Sequence, residues 1–153
     1  MKLQSNLIEA HIIKIKNDKI QYLLLKRSEN KMYPNVWQMV TGKIAKEEKA
    51  YETAIREIKE ETNLNVNEMY IVPNVNSFYS NYDDSITLVP VFAAIINDNQ
   101  QVKISGEHQE YKWVDKEEAI KLLAWPGQAK SVKIIEDYFT TRKENLKFIK
   151  IKL

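Results

Sequence analysis

Hydrophobic positions along this chain change their period several times, and each change marks an element. Residues 6–16, Asn-Leu-Ile-Glu-Ala-His-Ile-Ile-Lys-Ile-Lys, are rich in β-branched side chains and partly alternate, which predicts a strand. Asn17-Asp18 is a turn signal and residues 19–26 predict a second strand, so the pair reads as a hairpin. Residues 28–35 are polar and include Pro34, a loop; 36–40 is a short apolar run ending at Thr41-Gly42. Over 47–62 the period becomes helical, with Ala50, Ala54, Ile55 and Ile58 recurring between charges. Strand-like stretches return at 69–72, 76–79, 85–97 and 111–114. Asp115 is placed to cap a helix over 116–123. Pro126-Gly127 breaks that helix, and a second amphipathic one is expected over 128–141. The basic tail, 142–153, alternates in a way that fits either a docked strand or a frayed end. This order predicts an α+β fold, a mixed sheet with helices packed on its faces.

Composition narrows the chemistry. The 153 residues are 44% hydrophobic and 29% charged, the balance of one globular domain spanning 1–153. Lys and Arg number 23 against 21 Asp and Glu, a net charge of +2, so no nucleic-acid partner is expected. With no cysteine there is no disulfide, thiolate zinc site or thiol catalysis. No apolar run is long enough for a membrane helix and no export signal is apparent, so the expected location is cytoplasmic, without a membrane partner. Glycines are only three, Gly42, Gly106 and Gly127, and each is a candidate for a backbone constraint.

The helical segment carries Glu57, Glu60 and Glu61, spaced i, i+3 and i+4. That spacing stacks three carboxylates on one face, where like charges repel. Either the face is solvated, with Lys49, Arg56 and Lys59 softening the repulsion, or it holds hard divalent cations that take oxygen ligands.

The surrounding residues weigh on that choice. Gly42, five residues, Glu48, seven residues, then Arg56-Glu57-Ile58-Lys59-Glu60-Glu61-Thr62-Asn63-Leu64 resembles the Nudix box, G-x5-E-x7-R-E-U-x-E-E-x-G-U, where U is apolar. Eight of the nine specified positions match at every spacing, over residues 42–64. The departure is Asn63, where the family has Gly. The position follows a helix, where the backbone commonly turns left-handed and Asn is the next best tolerated residue. Glu47 also stands where many relatives carry Gly. Residues 36–42 and 107–115 look like the branch of dATP pyrophosphohydrolases and dihydroneopterin triphosphate pyrophosphatases.

The resemblance implies an α/β/α sandwich around a mixed sheet. It also implies a Mg²⁺-dependent pyrophosphohydrolase, with Mn²⁺ as a substitute, cleaving a nucleoside or pterin triphosphate to monophosphate and pyrophosphate. Dinucleoside polyphosphate hydrolysis, or a nucleotide-binding module without turnover, is the alternative. By the same resemblance the metal ligands would be Glu57, Glu60, Glu61 and the Gly42 carbonyl, with Glu107 as a further ligand or base and Glu110 in reserve. Arg56 would orient the carboxylates and Glu48 brace the loop. Arg27 is the candidate for phosphate, with Lys26 and Lys43 as alternatives. Trp37, Phe78, Tyr79 and Trp113 are candidates for stacking a base, each competing with an ordinary place in the core. His11 and His108 are not expected to form a metal pair. The small-molecule partner is a nucleotide or pterin triphosphate, and an oligomer is compatible with the sequence.

Overall fold

A computed structural model describes residues 1–153 and carries the expected hairpin at its centre. Strand β1 is Lys2–Gln4, β2 is Leu7–Lys16 and β3 is Lys19–Arg27. Asn17 and Asp18 both have positive φ (52° and 60°), the geometry of a tight two-residue turn whose twist matches its strands. Away from this turn β2 and β3 diverge, and two short strands fill the gap. Trp37–Gln38 (β4) pairs with β3 through Leu25 and Lys26, and Val40–Lys43 (β5) pairs with β2 through Leu7–Ala10. Gly42 is thereby held opposite Ile8.

The predicted helix is α1, Ala50–Thr62, starting three residues later than the periodicity suggests. Glu47 explains the difference, because its φ of 68° is left-handed and cannot continue a helix. The Glu52 carboxylate accepts from the Lys49 backbone N–H at 2.9 Å, closing the first turn. Asn63 ends the helix at φ 61°, and its N–H donates to the Lys59 carbonyl, as the sequence argument for that position requires.

The two strands expected at 69–72 and 76–79 are one, β6 (Glu68–Ser80), with a bulge between Val72 and Val75. It pairs antiparallel with β7, Ser85–Ile95, whose other edge runs parallel to β2 and, near its start, to β1. His108–Val114 forms β8 on the outer edge of β3. Asp115 caps α2, Lys116–Leu122, by accepting from the Glu118 N–H at 2.9 Å. Helix α3, Pro126–Thr140, begins at the Pro-Gly pair itself, where a proline's missing N–H costs nothing. The tail docks: after a 3-10 turn at Lys143–Asn145 and the single turn α4, Leu146–Ile149, strand β9 (Lys150–Ile151) pairs with β6.

The nine strands form one mixed sheet with a core on each face. Ile8, Ala10 and Ile12 of β2 meet Ala54 and Ile58 of α1. Ile13, on the opposite face, packs in a core with Ala119 of α2 and Val132, Ile135 and Phe139 of α3. This is the expected α/β/α sandwich. Burial of Ile58, fully out of solvent, contributes about 2–3 kcal/mol to pinning α1 against the strand that carries Ile8. No helix is long and apolar enough to cross a membrane.

Candidate active site

Register and helix phase bring the separated parts of the 42–64 segment together. Gly42 does not need a positive φ, since no glycine here has one. It is required by crowding: a Cβ at residue 42 would overlap the Glu57 side chain. Removing the Cβ is what lets α1 lay that carboxylate against the β5 backbone.

Arg56 organises the N-terminal half of the site. Its Nε and Nη2 donate to the two oxygens of Glu48 at 2.9 and 3.0 Å, a bidentate pair. Its Nη1 donates to Glu57 at 2.8 Å and to Glu60 at 3.3 Å, and Nη2 also reaches the Lys43 carbonyl at 3.2 Å. Thr53 adds a hydroxyl donor to Glu48 at 2.5 Å. Hydrogen bonds from Arg56 and then Thr53 hold the Glu48 carboxyl down at about 2, and hydrogen bonds to Glu48 and then Glu57 raise Arg56 above its ordinary value. One guanidinium therefore fixes a loop carboxylate and two helix carboxylates.

The other half is built differently. The segment following β7 laces onto the C-terminal end of α1, with the Lys103 N–H on the Thr62 carbonyl (2.9 Å) and the Ser105 N–H on the Glu61 carbonyl (3.1 Å). This sets Glu107 and His108 beside Glu61, with one ligand atom of each within 4.8 Å of the others. Glu61 is 5% exposed, and its Oε2 has no hydrogen-bond partner. Burial pushes its carboxyl up to about 9, with the charges of Glu107 and Glu57 adding and that of Arg27 opposing. Glu57 is also raised, chiefly by burial and against the pull of Arg56, while Glu60 remains exposed. Burial lowers His108 to about 4, Glu107 opposing and Arg27 adding. The solvated-face alternative fails for Glu61, since a solvated carboxylate is neither buried nor orphaned.

Glu57, Glu60, Glu61 and Glu107 line one open cavity of about 440 Å³ together with Asn30, Lys31, Ser105 and Gly106, with no hydrophobic residue in its wall. Arg27 stands near enough for its charge to act on Glu61 and His108, and its Nε donates to the Met32 carbonyl at 3.2 Å. Of the carboxylates, Glu110 is outside the wall, paired with Lys26 at 3.7 Å.

Other expected contacts lie elsewhere. The Lys43 side chain is exposed and only its carbonyl enters the arrangement. Tyr79, exposed at the β6–β7 hairpin, donates to Asp84 at 3.2 Å, and neither it nor Phe78 lines the cavity. Trp37 is half-buried against the core, its ring 5.2 Å from Lys112 Nζ and 5.9 Å from Lys26 Nζ. Trp113 packs on the α1 side under Lys14. His11 is fully buried and bonds Glu9 at 2.7 Å, so the two histidines form no pair. Sequence reasoning did not single out Asn30 and Lys31, which reach the cavity from the β3–β4 loop. Nor did it find the exposed edge-to-face pair Tyr33–Trp125, ring centroids 5.1 Å apart. His108 follows Glu107 at the start of β8, and that adjacency is its one signal in the sequence.

A divalent cation fits this set of groups. The oxygens of three box carboxylates and Glu107 face one polar cavity, and the orphaned Glu61 Oε2 lacks the partner that a buried carboxylate requires.

Comparison with known proteins gives concordant findings. The family model described as NUDIX domain matches residues 6–138. The bis(5'-nucleosyl)-tetraphosphatase [asymmetrical] of Caenorhabditis elegans is 31% identical over 105 residues, 68% of this chain and 74% of that protein. The mouse protein of the same name is 29% identical over 119 residues, 76% of this chain and 79% of its own length. Among solved structures, a NUDIX hydrolase from Listeria monocytogenes superposes with a TM-score of 0.77 at 28% identity, covering 90% of this chain and 95% of its own.

Proposed function

Since this chain belongs to the Nudix family and is a hydrolase of phosphoric anhydride bonds, we propose that its substrate is a dinucleoside polyphosphate, cleaved asymmetrically to a mononucleotide and the remaining nucleoside polyphosphate. The observation that carries this reading is the likeness to asymmetrical bis(5'-nucleosyl)-tetraphosphatases over two thirds or more of the chain. It favours the alternative over the triphosphate reading drawn from residues 36–42 and 107–115.

In this reading Glu57, Glu60, Glu61 and the Gly42 carbonyl hold Mg²⁺, with Glu107 as a further ligand or as the base. When bound, the ion neutralises phosphate charge and lowers the pKa of a water. The chain's own groups do the rest. Arg56 keeps Glu57 and Glu60 aimed while Glu48 keeps Arg56 in place. Arg27 and Lys31 supply positive charge at the cavity edge for the polyphosphate. The exposed pair Tyr33 and Trp125 offers aromatic faces to a base. The residues of the sandwich act as one unit, 1–153, in the cytoplasm.

The test is a product-resolved assay with Mg²⁺ across diadenosine tetraphosphate, dATP and other nucleoside triphosphates, dihydroneopterin triphosphate and ADP-ribose, with Glu60→Gln as control. AMP plus ATP from the dinucleotide, lost in the variant, is the expected result. Pyrophosphate and a monophosphate from one triphosphate, with the dinucleotide untouched, would return the assignment to the triphosphate class. Nucleotide affinity without turnover would make the chain a binding module.

A further inference from the structure

We infer that His108 turns the corner it shares with Glu61 and Glu107 into a mixed nitrogen–oxygen site, which takes a borderline transition ion such as Co²⁺ or Zn²⁺ in preference to Mg²⁺. The inference rests on the metal-dependent reading of the cavity and deepens it. It starts from an imbalance. His108 is 4% exposed, and neither of its ring nitrogens has a hydrogen-bond partner. A buried imidazole kept only for packing normally bonds at least one nitrogen, because an unpaired polar group out of water is costly. The chain provides its own control: His11 is just as buried and its Nε2 is satisfied by Glu9 at 2.7 Å.

The second observation is where the unpaired ring lies. One of its nitrogens falls within 4.8 Å of a carboxylate oxygen of both Glu61 and Glu107, the span of donors around one ion. Glu61 Oε2 is itself without a partner, so two orphaned buried groups share the corner. A neutral imidazole nitrogen offers a lone pair for coordination. Two oxygens and one nitrogen leave positions open for water and a phosphate oxygen. Imidazole nitrogen suits the later first-row ions, whereas Mg²⁺ takes oxygen almost exclusively, so the donor set discriminates by softness. Glu57 and Glu60 keep the all-oxygen character that suits Mg²⁺, which makes the cavity two neighbouring sites of different preference.

The experiment is pulsed electron paramagnetic resonance of the full chain loaded with Mn²⁺, with natural and ¹⁵N-histidine labelling. A directly bonded imidazole coupling that changes with the label, and that disappears in His108→Gln, is the expected result. In parallel, calorimetric titrations should show that His108→Gln weakens Co²⁺ binding on the order of tenfold or more, the scale of losing a metal-site group, while Mg²⁺ affinity moves little. Mn²⁺ bound to saturation of both sites without any imidazole coupling overturns the inference and leaves the carboxylate site standing. So does an equal loss of Co²⁺ and Mg²⁺ affinity. Absence of Mn²⁺ binding overturns both the inference and the metal-dependent reading beneath it. Should His108→Gln not fold, the labelled wild-type spectrum decides alone.

Discussion

The two ends of α1 solve the problem of a crowded carboxylate in opposite ways. At its entry, Glu48 has every oxygen matched by Arg56 and Thr53 and is held down at about 2. At its exit, Glu61 is more deeply buried, keeps one oxygen unmatched and is pushed up to about 9. The first arrangement is complete without any ligand. The second is complete only when something positive arrives. A satisfied carboxylate is scaffold; an unsatisfied buried one marks where binding energy is to be realised.

The strongest way to break this comparison is Glu61→Gln. Turnover should fall by more than about a hundredfold, while the melting temperature of the metal-free protein at pH 8 stays level or rises, because a costly buried acid has gone. Steady-state kinetics and calorimetry read both halves; a large stability loss with activity retained would make Glu61 structural. Next in size, Arg56→Lys should lower turnover on the order of tenfold, since an ammonium cannot reproduce the fork that binds Glu48 while reaching Glu57.

Proton linkage sharpens the contrast. Near pH 7.5 the metal-free Glu61 is protonated, so Mg²⁺ binding should release close to one proton, seen by titration calorimetry in buffers of different ionisation heat and absent in Glu61→Gln. Without metal the two ends also have opposite signs in stability. The lowered Glu48 stabilises the fold above its ordinary range and loses that contribution as pH falls through about 2. The raised Glu61 binds more protons folded than unfolded, so stability should decline as pH climbs from about 4.5 towards 9. Melting temperatures across pH in chelator check both, and Glu61→Gln should flatten only the alkaline side. Smallest of all, Asn63→Gly should raise the melting temperature by about 2 °C at most, relieving a left-handed asparagine.

What the sequence made legible was local. The Asn17-Asp18 turn, the phase of α1, its stop at Asn63 and the Asp115 cap each depend on neighbours within a few residues. What escaped it depends on distant partners. Strand β1 is three residues long and gains its identity only from β7. The bulge that joins two expected strands into β6 leaves no mark in periodicity, and the tail's choice between docking and fraying is made by β6. The site divides the same way. Gly42, Glu48, Arg56 and the three carboxylates sit on one continuous segment, whereas Asn30, Lys31 and His108 meet them only through the sheet. Tyr79 shows the converse, a suitable residue type that the β6–β7 hairpin leaves outside the cavity.

The gap between β2 and β3 has a consequence for how such a molecule diversifies. Because β4 hangs on β3 and β5 hangs on β2, the loop that carries Asn30, Lys31 and Tyr33 is anchored to a different strand from the one that fixes Gly42 opposite Ile8. Insertions, deletions and substitutions there can accumulate without altering the register that aligns the carboxylates. Recognition and reaction are thus inherited as separable modules, free to drift at different rates within one sheet.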